Sequence, residues 1–332
     1  MIRRLILYLL SSGLIVSSSV AQDPHFSQFF NSGYLVNPAL IGSSTSDWRV
    51  TGNVRQQWNN AETPYNTASV NFETRVLKNV TNNNRLGVAA AFMSDQSLNG
   101  AFKTNVSSTS LAYHVNINSE SFIGLGMTGQ FFSRTLDLSA LTFGEQFTSG
   151  GFNTILPTGE TALSTMKPFV SVGVGMLYSF SRDRLSLNAG VSSFNVNRPK
   201  QTFLADPNQF LPTRFAAHMN LEYDLSSLLL VNFNSIFHTQ SKQAYFSGGG
   251  SLGFDISNAE RRNIMYMGAW YRSIDAVVPF WGIQIENIFV GASYDVTVSK
   301  QNLGPSNPRT LEISFIFRQR NSIPGVIPCP WK

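Results

Sequence analysis

Four histidines, one cysteine and two glycine-framed motifs are the residues of this chain whose types would suit chemistry. His25, His114, His218 and His238 are scattered, with no HExxH and no paired cysteine, so no zinc spacing exists. Gly249-Gly250-Ser251-Leu252-Gly253 fits the G-x-S-x-G frame of a nucleophile elbow. That elbow needs a strained strand-to-helix turn, and these residues sit inside an alternating, strand-like run. Gly124-Leu125-Gly126-Met127-Thr128-Gly129 fits G-x-G-x-x-G, but no helix follows whose N-terminus would hold a phosphate. Neither motif predicts catalysis, and no cofactor or metal is expected. Cys329 is the only cysteine, so an internal disulfide framework is excluded and the thiol reads as a packed side chain.

Ionisable side chains follow a clearer pattern. Arg49, Arg55, Glu73, Arg75, Arg272, Glu286, Asp295, Glu312 and Arg318 alternate with apolar neighbours, so each is assigned to one face of an extended segment. Such a set either fills a lumen with ion pairs or lines a channel, and the structural, ion-paired lumen is the favoured reading. Charge is otherwise scarce: 13% of the 332 residues, against about 25% in soluble domains. Hydrophobic residues reach 42%, yet mean hydropathy is −0.04. No apolar run of the roughly 20 residues needed for a helical span follows the N-terminus. With 12% aromatic residues and little charge the chain is not disordered. The formal charge of +5 is dispersed, which excludes a nucleic-acid surface.

Uncharged polar residues must therefore be interleaved with apolar ones, and they are. Trp48, Val50, Gly52, Val54 and Trp58 fall opposite Arg49, Thr51, Asn53, Arg55 and Gln57; Ala68, Val70, Phe72 and Val76 fall opposite Thr67, Ser69, Asn71, Glu73 and Arg75. Leu311, Ile313, Phe315 and Phe317 alternate with Glu312, Ser314 and Arg318, leaving Ile316 out of pattern. The same rhythm predicts strands at 48–58, 66–76, 85–94, 104–117, 121–134, 168–180, 184–194, 213–224, 227–238, 243–256, 262–273, 278–286, 288–298 and 309–318. A water-soluble sandwich would carry many Lys and Glu on its outer face, which this pattern lacks. The prediction is an all-β fold, a transmembrane antiparallel β-barrel of about 14 strands, apolar toward lipid and mostly uncharged polar toward the lumen. Connections alternate in length. Short turns such as 118–120 and 181–183 alternate with a set that includes the long 135–167 and 195–212, as expected for short periplasmic turns and long outer loops.

Outside the strands, Arg3 and Arg4 precede an apolar stretch that ends in Ser19-Val20-Ala21, so residues 1–21 read as a signal peptide cleaved before Gln22. That predicts export and residence in the bacterial outer membrane, in contact with its lipid. Residues 22–47 are aromatic and Pro-broken, a poor strand, and read as an N-terminal plug or periplasmic segment; 48–318 is the barrel and 319–332 a periplasmic tail.

The motifs DPHFSQFF (23–30), YLVNPALIG (34–42), RQQW (55–58), GAWYRSIDA (268–276), GASYDVTVS (291–299), LEIS (311–314) and PCP (328–330) stand in order along the mature chain. In them the chain resembles the PorP/SprF family of outer-membrane proteins associated with type IX secretion in Bacteroidetes. The resemblance implies a non-enzymatic barrel that supports export or surface attachment of secreted adhesins, in some members tied to gliding motility. The implied partners are type IX components and the adhesins' C-terminal domains, with no nucleic acid; a general porin or small-solute transporter is the alternative. We expect partner contacts at Asp23, Pro24, His25, Phe26, Gln28, Tyr34, Asn37, Pro38, Pro328, Cys329, Pro330 and Trp331, on the periplasmic side, with cargo at the outer loops.

Overall fold

A computed structural model describes residues 25–59, 63–78, 84–159, 166–201, 209–241, 243–257, 263–273, 275–298 and 309–319. The predicted signal peptide 1–21, Asp23, Pro24 and the tail residues Pro328, Cys329, Pro330 and Trp331 lie outside them. Fourteen long strands run β1 (Trp48–Gln57), β2 (Tyr65–Lys78), β3 (Arg85–Ser97), β4 (Phe102–Asn116), β5 (Ser121–Leu136), β8 (Phe169–Arg182), β9 (Leu185–Phe194), β10 (Arg214–Asp224), β11 (Leu229–Gln240), β12 (Gln243–Asp255), β13 (Asn263–Arg272), β14 (Ala276–Ile285), β15 (Ile288–Thr297) and β16 (Arg309–Arg318). Each pairs antiparallel with its neighbours, and β1 closes on β16 with Arg55 opposite Glu312. Two-residue strands β6 (Phe147–Thr148) and β7 (Gly151–Phe152) form a small ribbon within the long 137–168 loop. The barrel and its strand number are as the alternation predicts, because a period of two sorts side chains to two faces whatever lies beyond them.

Local departures have local causes. Trp58, assigned above to β1's apolar face, lies past the strand in a left-handed turn with φ +57°, so alternation ends at Gln57. Glu286 does not face inward; it is exposed in the tight β14–β15 turn, also at positive φ. Pro279 has no N–H to donate, and the β14–β15 ladder skips Val278 and Pro279 before resuming at Phe280↔Ser293.

The outer wall carries Val54, Phe72, Phe92, Leu125, Met127, Phe131, Phe215, Trp281 and Ile313, all exposed. An apolar belt of this extent is far beyond the few hundred Å² a soluble monomer shows, and suits lipid. Met127 lies midway along β5. Met127→Arg is expected to destabilise the barrel by about 2–4 kcal/mol in a bilayer; denaturant titration in vesicles reads it, and an unchanged midpoint would contradict a lipid-facing wall.

Candidate functional site

The segment preceding β1 lies inside the barrel. Its backbone forms short turns, a 3-10 turn at Phe29–Asn31, one α-turn at Gly33–Val36 and another 3-10 turn at Pro38–Leu40. From Phe26 to Ser44 every residue except Leu35 is buried. At one extreme the His25 ring packs against Tyr245 at 5.1 Å, tilted by 36°, beside the β11–β12 hairpin at the long-loop end. At the other, Arg75 donates to the carbonyls of Thr45 and Ser46 at the short-turn end, where β2 shifts register by a bulge. The segment therefore runs the length of the lumen.

Four of the predicted lumen charges converge on its first residues. The Glu312 carboxylate, with no exposed surface, accepts the backbone N–H of Ser27 at 2.7 Å and of Gln28 at 2.9 Å. Ser27 Oγ donates to the Asp295 carboxylate at 2.8 Å and accepts from Arg55 at 2.8 Å and Arg272 at 2.9 Å. Arg55 and Arg272 also pair with Asp295 at 3.1 and 2.9 Å, and Arg272 reaches Asp275 at 2.6 Å. Two cations and two anions thus surround one hydroxyl and two peptide N–H groups, so each buried charge has oppositely charged and hydrogen-bonding partners. Arg49 and Glu73 pair separately, at 3.0 Å across the β1–β2 register, and Arg75 sits at the short-turn mouth with Asp47. Burial, then Arg55 and Arg272, hold His25, which precedes the strands, well below the usual imidazole range.

Glycines on the inner wall make the groove for the next residues. A Cβ at Gly126 would sit 2.3 Å from the Ala39 nitrogen, and one at Gly87 2.4 Å from the Ile41 oxygen. His114 meets the Ala39 carbonyl at 2.9 Å above Gly124. The G-x-G-x-x-G string therefore cradles this chain's own peptide in place of a phosphate. Gly175 and Gly190 leave room for Asn37, which is fully buried. Asn37 Oδ1 accepts from the Ala39 N–H as N-cap of the Pro38 turn, while Nδ2 donates to the Met176 carbonyl at 2.9 Å and lies 3.1 Å from His218. Ser192 and Arg214 donate to the carbonyls of Val36 and Leu35. Asn37→Ala is expected to cost about 1–2 kcal/mol through the lost cap and the unpaired carbonyl, measured by denaturant unfolding in detergent; no change would contradict the anchoring role.

The lumen is less polar than the alternation predicts. Phe30 stacks on Trp270 at 4.4 Å and meets Phe280 edge-on at 5.3 Å, within a cluster that includes Phe29, Leu40, Leu230, Ile236, Tyr266, Phe289 and Ile316. These wall positions are apolar because they pack against the segment and not against water. Gly249 admits the Trp270 ring, whose Cγ would lie 2.8 Å from an added Cβ, and Ser251 of the elbow-like string is an inward residue of β12 facing Asn232.

Six of the residues expected to meet a separate partner are among the described ones. Phe26, Gln28, Tyr34, Asn37 and Pro38 are buried against the chain's own barrel, and His25 lies at the long-loop end, opposite to a periplasmic-side surface. Ser27, Asn31, Arg214 and Trp270 were missed by sequence reasoning, which noted His218 without giving it a role. Asn31 bridges Gln28 and Ser314. The available signal was the paired inward glycines 124 and 126, which mark close backbone approach in a strand.

A family model described as type IX secretion system membrane protein PorP/SprF matches residues 18–317. No curated protein matches the chain. Among solved structures, a deltaS2S3 mutant of the monoaromatic hydrocarbon channel TodX superposes with a TM-score of 0.52 at 10% identity, over 86% of this chain and 93% of that one. The monoaromatic hydrocarbon channel CymD gives 0.51 at 8% identity, covering 88% and 93%. A Pseudomonas aeruginosa FadL homologue gives 0.50 at 10%, covering 87% and 94%. At such identities the likeness is one of barrel fold alone.

Proposed function

The chain belongs to the PorP/SprF family of type IX secretion membrane proteins, and we propose that it acts in the outer membrane as a non-enzymatic component of that system. On this reading it supports export or surface attachment of secreted adhesins through protein contacts, with the long loops toward cargo and the short-turn face toward the periplasm. Adhesin C-terminal domains and periplasmic components of the apparatus are its partners, and gliding motility is the process it serves where the cargo is a motility adhesin.

The observation that carries this reading, beside family membership, is the self-occupied lumen: the path a porin leaves to solute holds residues 25–46 of the same chain. Arg55, Arg272, Asp295 and Glu312 hold that segment, which favours a scaffold over both a charge-lined channel and an enzyme. Crosslinking in native outer membranes followed by affinity capture and mass spectrometry tests the proposal. Enrichment of a secreted adhesin or a periplasmic component of the secretion apparatus is the expected result. Capture of neither, with secretion intact in a deletion strain, would overturn it.

A further inference from the structure

At the short-turn mouth, beside the point where the segment leaves the lumen, a cavity of about 300 Å³ opens between the segment and the inner ends of β3, β4, β5, β8 and β9. Its volume is at the lower bound of small-ligand sites. Hydroxyls and amides dominate its wall, among them Ser43, Asn116, Ser179 and Asn188, and three ionisable residues reach it. Two of these are committed elsewhere. Arg75 holds the Thr45 and Ser46 carbonyls and Asp47, and Glu120 pairs with Arg182 at 3.4 Å.

Arg85 is different. Its guanidinium lies 4.5 Å over the Phe122 ring, and its Nε is buried without an acceptor. Among the described residues it has no carboxylate partner. A planar donor fork held over an aromatic ring and lacking an anion is suited to bidentate capture of an oxyanion. The surrounding amides and hydroxyls supply both donors and acceptors to the rest of a small polar ligand.

We propose that this cavity is a receptor for an oxyanion, in which Arg85 grips the carboxylate of a peptide C-terminus or a phosphate group. The proposal is independent of the export reading, since it rests on the cavity and on Arg85 alone.

Calorimetry on the purified full-length barrel in detergent tests it with three probes: acetyl-trialanine with a free C-terminus, its C-terminal amide, and inorganic phosphate. Binding of the free acid or of phosphate, with the amide silent, is expected; which of the two binds identifies the source of the oxyanion. Arg85→Gln should weaken that binding about tenfold or more, and Arg184→Gln, which changes an exposed cation in the neighbouring β8–β9 turn and outside the cavity wall, should not. A variant-independent readout is phenylglyoxal modification of the wild-type protein, followed by mass spectrometry: the binding probe should slow modification at Arg85. Binding of neither oxyanion, equal binding of the amide, or modification of Arg85 unaffected by the probes would overturn the proposal.

Discussion

Gly126→Val is expected to evict the middle of the N-terminal segment while leaving the barrel wall intact. Even a single added carbon would lie 2.3 Å from the Ala39 nitrogen and 2.4 Å from the Pro38 carbonyl carbon. These are backbone atoms, held by the Asn37 cap and by His114, and cannot swing aside as a side-chain end would. The segment must leave its groove over roughly residues 36–42. Limited proteolysis reads the effect, since a seated segment is inaccessible and a displaced one is cut. Gly129→Val is the matched control: it lies three residues along the same strand, and nothing stands within 4 Å of its added carbon. Equal protease resistance in both variants would contradict the close approach.

Glu312→Ala is expected to release the start of the segment. Two buried peptide N–H groups, of Ser27 and Gln28, lose the carboxylate that accepts them, at about 1–3 kcal/mol each. Arg55 keeps Asp295, so the charge left behind is not isolated and the barrel should still assemble. Hydrogen exchange at residues 26–31 should accelerate roughly a hundredfold or more, because exchange there requires only local opening. Strands β1 and β16 should keep their protection. Unchanged exchange at 26–31 would show that Glu312 does not anchor the segment.

The barrel was legible because its cause is local. Alternation from Arg49 to Arg55, or from Leu311 to Phe315, depends on nothing beyond a strand with two unlike surroundings. The short segment had no comparable signature. Its turns are set by tertiary contacts, and only Asn37-Pro38 carries a recognisable capping pair. The inward placement of Arg55, Asp295 and Glu312 followed from parity, but their convergence depends on register. Arg55 faces Glu312 only because β1 closes on β16, a pairing 257 positions apart in the chain that no local pattern encodes. Ile316 shows the same limit from the other side. Out of pattern in the alternation, it is in place against Phe29 and Phe30 once the lumen is seen to be filled by protein. Gly175 and Gly190 likewise read as unremarkable strand glycines until the peptide that needs their missing side chains is placed beside them.

That the lumen is occupied by the chain's own N-terminal segment is the claim on which the scaffold reading depends, and single-channel recording in planar bilayers tests it most directly. The purified wild-type protein should be electrically silent or nearly so, while a variant lacking residues 25–42, verified as a folded barrel by its strand signature, should open steady conducting steps. Steady conductance of the wild-type protein, equal to that of the variant, would contradict it and return the chain to the class of open pores.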